Sequence, residues 1–162
     1  MATNLQNINT DLPQGYGKGL KIGIVRAEWH NKITEQLYKG ATEMLLKYGA
    51  EFAKVDVPGS VELVYGAKKM IQTGTFNAII VFGCVIQGET KHFDYVCNFV
   101  TDGIRQLNIL FDVPVIFGVL TVNNLQQAED RAGGKLGNKG SDCAIDAMKM
   151  AKINKNIWNF IE

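Results

Sequence analysis

Ala-Ile-Ile-Val-Phe-Gly-Cys-Val-Ile, residues 78–86, is the stretch whose reading decides the fold. It is too short and too rich in β-branched residues for a helix, and no polar residue alternates through it, so it reads as a strand with no face turned to water. A strand apolar on both faces needs cover on both sides, which is the condition of a parallel sheet. Lys-Ile-Gly-Ile-Val-Arg-Ala (21–27) and Val-Pro-Val-Ile-Phe-Gly-Val-Leu-Thr-Val (113–122) have the same character, and Phe-Ala-Lys-Val-Asp-Val (52–57) is read as a further buried strand.

The segments between these runs change period. Ile33, Leu37, Ala41, Met44, Leu45 and Tyr48 recur at three- and four-residue steps, as do Leu63, Val64, Ala67, Met70 and Ile71. Tyr95, Val96, Phe99, Val100, Ile104 and Leu107 repeat the pattern, and Cys143, Ala144, Ala147, Met148 and Ala151 mark a last helix. Each set forms one apolar helical face. Strands alternating with such helices predict an α/β protein, a three-layer α/β/α sandwich around a parallel four-stranded sheet.

Residues 1–18 are polar, contain Pro13, Gly15 and Gly17, and have no sustained period; they read as an N-terminal arm, with residues 19–162 forming a single domain. Four strands leave sheet edges to cover, so the arm is expected to add a strand to a neighbouring subunit.

Seventeen Lys and Arg against sixteen Asp and Glu give no summed field for nucleic acid or an anionic membrane, so an anionic ligand must be held by local groups. No apolar run approaches the roughly 20 residues of a membrane span, and the start MATNLQNINTDLPQGYG lacks the pattern of a secretory signal, which makes the cytoplasm the expected location. Cys84, Cys97 and Cys143 are widely spaced inside apolar segments and read as reduced packing residues. There is no C-x-x-C pair and no paired histidines on a helix, so no metal site is expected.

Ligands of open parallel sheets bind outside the carboxyl ends of the strands. After the first strand, Trp29 sits outside any apolar stripe, where an indole either stacks on a planar heterocycle or folds back as packing. After the second comes Pro58-Gly59-Ser60-Val61-Glu62, with Ser60 placed to cap a helix; its amides and Glu62 either bind a polyol or simply start that helix. The third strand ends in Gly83-Cys84-Val85-Ile86-Gln87-Gly88-Glu89-Thr90-Lys91-His92, a glycine and a hydroxyl at a helix opening, where backbone amides converge on an anion. His92 then falls in the first helical turn, either as a proton carrier or as a surface histidine.

The fourth strand leads to Phe117-Gly118, and a helix carries Arg131 into Arg-Ala-Gly-Gly-Lys-Leu-Gly-Asn-Lys-Gly, 131–140. That run is not a Walker-type phosphate loop, since glycine follows Lys139, and no G-x-G-x-x-G follows the first strand, which argues against a dinucleotide.

From about Lys21 to Ala151 the sequence resembles the lumazine synthase family, most specifically in VPGSVE (57–62), GCVIQGETKHFDYV (83–96) and RAGGKLGNKG (131–140). The resemblance implies a flavodoxin-like sandwich, pentamers with active sites between adjacent subunits, and a transferase of riboflavin biosynthesis. The implied reaction condenses 5-amino-6-(D-ribitylamino)uracil with 3,4-dihydroxy-2-butanone 4-phosphate to 6,7-dimethyl-8-ribityllumazine.

Carried over by position, Trp29 stacks on the uracil ring, Ser60, Val61 and Glu62 hold the ribityl chain, and Val85 and Ile86 contact the pyrimidine. Gly88, Glu89 and Thr90 match the phosphate-binding turn, His92 the proton-transfer residue and Arg131 the guanidinium that meets the phosphate. Phe117 and Lys139 match residues supplied to a neighbour's site. The chain departs from the pattern at His30, where many members carry Asn, and at Gln87-Gly88-Glu89-Thr90, which replaces Arg-Gly-Ala-Thr.

No metal or organic cofactor is implied. Partners implied are the two small substrates, further copies of the chain up to an icosahedral shell of 60, and riboflavin synthase, with neither nucleic acid nor membrane. Two rivals remain: a non-catalytic flavin- or lumazine-binding module, and a structural shell protein.

Overall fold

Ile79, Ile80, Val81 and Phe82 are completely buried, and their side chains divide between two separate cores. The computed structural model describes residues 11–156. Its order is β1 (Lys21–Ala27), α1 (Asn31–Tyr48), β2 (Glu51–Val57), α2 (Leu63–Gln72), β3 (Ala78–Ile86), α3 (His92–Leu110), β4 (Val115–Val122), α4 (Leu125–Arg131), β5 (Ala132–Gly134), β6 (Gly137–Asn138) and α5 (Lys139–Asn156). Strands β2-β1-β3-β4 form a four-stranded sheet, parallel throughout, while β5 and β6 pair as a small antiparallel hairpin. The architecture is the three-layer α/β/α sandwich expected.

Strand periodicity explains the two cores, because successive side chains of a strand point to opposite faces. Ile22, Ile24, Ile80 and Phe82 face α1 and α5, meeting Leu37, Ala41, Leu45, Ala144 and Met148. Val25, Ala27, Ile79 and Val81 face α2 and α3, meeting Leu63, Ala67, Ile71, Val100 and Ile104. Each fully buried Ile, Leu or Phe contributes roughly 1.5–3 kcal/mol of burial.

Two expectations are corrected. Among the described residues, strand β2 is a sheet edge and is not buried on both faces: Glu51, Lys54, Val55 and Asp56 are exposed, and β1 is its one described neighbour. The expected apolar face of α3 is likewise covered only in part; Val100, Ile104 and Leu107 are buried, whereas Tyr95 is 71% and Phe99 55% exposed.

Of the stretch read as an arm, residues 1–10 lie outside the described residues. Leu12 and Tyr16 pack on the α1/α5 core, and the Gly17 amide donates to the Tyr48 carbonyl at 2.8 Å, so this part lies against its own chain. Among the described residues no helix is long and apolar enough to cross a membrane.

Candidate active site

Because β2, β1 and β3 are parallel neighbours, their carboxyl ends deliver three loops side by side at one edge of the sheet. The loop after β1 carries Trp29 and is stitched to the loop after β2: the Glu28 amide donates to the Val57 carbonyl at 2.8 Å and the Trp29 amide to the Pro58 carbonyl at 3.1 Å. Trp29 does not fold back as packing; its side chain stands out of the loop, 69% exposed. His30 follows with φ 57°, a left-handed backbone uncommon outside glycine, and its ring meets the Trp29 edge at 6.0 Å. Partial burial lowers the His30 pKa below the usual imidazole value.

Ser60 is buried, but it does not cap α2 as expected. The residue before that helix is Glu62, no side chain caps it, and the Ser60 carbonyl accepts from the Leu63 amide at 3.3 Å. The hydroxyl instead lies against β3, where a Cβ on Gly83 would come within 2.8 Å of Ser60 Oγ. Glycine at 83 is what lets the second loop approach the third strand. Glu62 is exposed and turns its carboxylate back over Gly59, with Oε2 3.1 Å from where a Cβ would stand. Val61 is half-buried beside it.

Val85 and Ile86, the last residues of β3, are half-buried and lean on opposite cores. Gln87 to His92 are exposed. The helix opens two residues later than Thr90, with His92 as its first residue, and the Thr90 hydroxyl accepts from the His92 amide at 3.4 Å. Thr90 therefore shapes the turn between Gly88, Glu89 and His92.

Helix α4 follows β4 at the same edge, capped by Asn124, whose side chain accepts from the Gln127 amide at 3.0 Å. Its last residue, Arg131, is half-buried and donates Nη1 to the Gln127 carbonyl at 3.0 Å. No described hydrogen bond or ion pair joins Arg131 to the Gly88 turn.

Phe117 is not a strand-end residue. Strand β4 continues to Val122, which puts Phe117 five residues, roughly 17 Å at about 3.3 Å per residue, before the end of its own strand and level in register with Val81 and Val25. It shares a groove of about 840 Å³ with Lys139, Cys143 and Asp146. Lys139 opens α5 and faces Asp142 at 3.4 Å. One chain thus holds two separate sets of the anticipated residues.

A family profile for 6,7-dimethyl-8-ribityllumazine synthase matches residues 19–155. The 6,7-dimethyl-8-ribityllumazine synthase of Flavobacterium johnsoniae is 52% identical over 162 residues, covering 96% of this chain and 84% of the relative. That of Bacteroides fragilis is 54% identical over 143 residues, 86% of this chain and 98% of the relative, and that of Parabacteroides distasonis 47% identical over 161, 95% and 99%.

The chain belongs to the 6,7-dimethyl-8-ribityllumazine synthase family. Within that frame, sequence reasoning passed over one cluster at the edge of the site. Arg26, its guanidinium bound to Asp56, Asn31 and Glu35, lies behind the Trp29 loop. The available signal was a charge, Arg26, set next to last in the otherwise apolar run that follows Lys21. Among the described residues no group of three or more His, Cys, Asp or Glu could hold a metal ion.

Proposed function

We propose that this chain is a lumazine synthase, which joins 5-amino-6-(D-ribitylamino)uracil to 3,4-dihydroxy-2-butanone 4-phosphate. The observation that carries this reading is the meeting of the Trp29, Ser60–Glu62 and Gly88–His92 loops at one sheet edge in a chain matched to the family along residues 19–155.

The exposed indole of Trp29 offers a face for the uracil ring. Ser60, Val61 and Glu62 line the path of the ribityl chain, Glu62 accepting hydroxyl protons. Val85 and Ile86 bound the pyrimidine from the end of β3. Amides of the Gly88–Glu89–Thr90 turn, together with Arg131, hold the phosphate.

The 5-amino group then attacks the ketone and water leaves as the imine forms. Phosphate departs by elimination, and the ribitylamino nitrogen closes the second ring with loss of water. These steps are proton transfers between pre-positioned partners, where orientation lowers the barrier by several kcal/mol, on the order of what effective-molarity data allow. His92, exposed at the phosphate turn, is suited to move the proton.

Phe117 and Lys139 line a separate groove on the β4 side of the sheet, while the Trp29 loop follows β1, and this separation supports sites completed by a neighbouring copy. Exposed Tyr95, Phe99, Ile109 and Leu110 on α3 support the same reading, since apolar side chains in such number call for a covering surface. The assembly we infer is a pentamer able to close into a 60-subunit shell, acting in the cytoplasm and able to work beside riboflavin synthase. A non-catalytic binding module would keep Trp29 and need neither His92 nor Arg131.

The test is formation of the lumazine chromophore from the two substrates, followed by absorbance. His92→Ala should cut turnover at least tenfold, the low end of the roughly 10²- to 10⁴-fold typical of a positioned acid or base, with the fold intact. Arg131→Gln should weaken use of the ketose phosphate and leave binding of the ribitylamino-uracil within twofold, roughly, as loss of a charge-assisted phosphate contact predicts. No lumazine from the wild-type chain would favour the binding module; equal losses for both substrates would remove Arg131 from the phosphate.

A further inference from the structure

Arg26 is a charged side chain near the end of a central strand, only 7% exposed, and none of the roles above uses it. Its position follows from the strand period: it shares the face of Ile22 and Ile24, but one step beyond them, where the core ends and α1 begins. In register it pairs with Asp56 on one side and Phe82 on the other.

Every described partner of its guanidinium borders the Trp29 loop. Nε donates to Asp56 Oδ1 at 2.8 Å, two residues before Pro58, whose carbonyl takes the Trp29 amide. Nη1 donates to Asn31 Oδ1 at 2.9 Å, at the first residue of α1, and also to the Glu35 carboxylate one turn on. Asp56 in turn accepts from Lys54 Nζ at 2.6 Å. Arg26 and Asn31 are the two ends of a segment with Trp29 near its middle, so a single guanidinium clamps both ends. Thr34 Oγ1, donating to the Ala27 carbonyl at 2.8 Å, closes the same turn from the helix side. The indole has no comparable support: it is largely exposed, and its one described ring contact is the neighbouring His30. The direction of the ring is therefore set by its backbone, and the backbone by this clamp.

We infer that Arg26 is a positioning residue for ribitylamino-uracil recognition: through Asp56, Asn31 and Glu35 it fixes the turn that presents Trp29. It is not a phosphate ligand, because two carboxylates already neutralise it and its planar fork is committed to them. The inference rests on the stacking role proposed for Trp29.

The experiment uses the assembled enzyme in a Trp158→Phe background, so that fluorescence reports Trp29 alone. Arg26→Met keeps the apolar stem and removes the fork; Asn31→Ala removes one arm of the clamp and leaves both ion pairs, which covers the case in which Arg26→Met does not fold. Trp29 anisotropy should fall in both, and the KM for the ribitylamino-uracil should rise about threefold to tenfold, the scale of one aromatic contact partly lost. The KM for the ketose phosphate should stay within about twofold, and Arg26→Lys should restore part of the loss at most. Adding Trp29→Ala to Arg26→Met should cost little beyond Trp29→Ala itself, because non-additivity is the mark of residues acting through one another. Unchanged anisotropy in a folded variant overturns the clamp, as does full additivity. If Trp29→Ala alone leaves the uracil KM unchanged, the stacking role fails, and the anisotropy still decides whether Arg26 holds the turn.

Discussion

The carboxamide of Asn138 fills the space that any Cβ on Gly40 would need: an ideally placed Cβ meets Asn138 Cγ at 2.4 Å. From that notch Asn138 Nδ2 donates to the Gln36 carbonyl at 2.8 Å, and Oδ1 accepts from the Gly140 amide at 2.8 Å. Ser141 Oγ adds a bond to the Gly40 carbonyl at 3.1 Å. The glycine-rich run 131–140 is thus a hairpin latched onto α1, and the latch fixes where Lys139 begins α5.

Gly40→Ala should therefore lower stability by about 1–3 kcal/mol, the usual range for overpacking, by displacing a side chain that can partly yield. Gly140→Ala should be worse, because its Cβ would lie 1.8 Å from the Leu37 carbonyl oxygen, which is backbone and cannot turn away. Calorimetry at a fixed protein concentration ranks the two. A Gly140→Ala protein as stable as the wild type would contradict this packing of α5 on α1.

The thiols give a second check. Burial pushes Cys84 up to about 11 and Cys143 up to about 12, so the thiolate is scarce at pH 8 even before access is considered. Cys97 is half-buried and also raised, by burial and the nearby Asp94 charge. Native alkylation with iodoacetamide, read by mass spectrometry, should leave Cys84 and Cys143 unmodified while any label goes first to Cys97. Early label on Cys143 would contradict its place under α1.

Much of this was legible in the sequence because the signals were local and redundant. Runs such as 78–86 have no polar residue to hide, and burial on both faces followed from that alone. Strand β2 misled because Phe52, Val55 and Val57 read as apolar although the edge position leaves the strand half open; edge or centre is a property of strand order, which one run does not contain. Ser60 misled because Ser before an acidic helix start looks like a cap, whereas Gly83, 23 residues on, makes room for its hydroxyl elsewhere. The Trp29, Glu62 and His92 loops were legible as strand ends. The Arg26 cluster was not, since its members lie on β1, β2 and α1 and converge only in the fold.

The same cluster predicts an acid dependence. The Arg26 guanidinium, hydrogen-bonded to Asp56, holds that carboxyl below its ordinary range, and Lys54 adds to the effect. A depressed carboxyl pKa stabilises the fold above its unfolded value, about 3.9, and that contribution is lost as pH falls through the lower folded value. Wild type should exceed Asp56→Asn in stability at pH 7, with the gap closing below about pH 4. Urea titrations at pH 7, 5 and 3.5 measure it; a gap that widens on acidification would reverse the sign and rule out the pairing.

Assembly is the prediction that tests the site as a whole. Trp29 and His92 lie in loops at the carboxyl ends of β1 and β3, while Phe117 and Lys139 share a groove on the β4 side of the sheet. In the reading proposed above, a monomer holds both sets without joining them. In a ring of copies, the groove of one can complete the edge of the next, and repetition of that head-to-tail contact closes at a fixed number, five in the reading proposed above. The hairpin of β5 and β6 bears on what happens next. From Ala132 to Lys139 it is a short latch, with two residues between its strands and Asn138 bound to α1, and this leaves no long insertion to hold rings apart. Rings free to meet can close into a shell of 60. Sedimentation at near-neutral pH in phosphate buffer should therefore show a species of sixty chains, with pentamers as the smaller form. A single species of five chains would refute the shell and leave the shared site intact. A fully active monomer would refute both, because its site would then need nothing from a second copy.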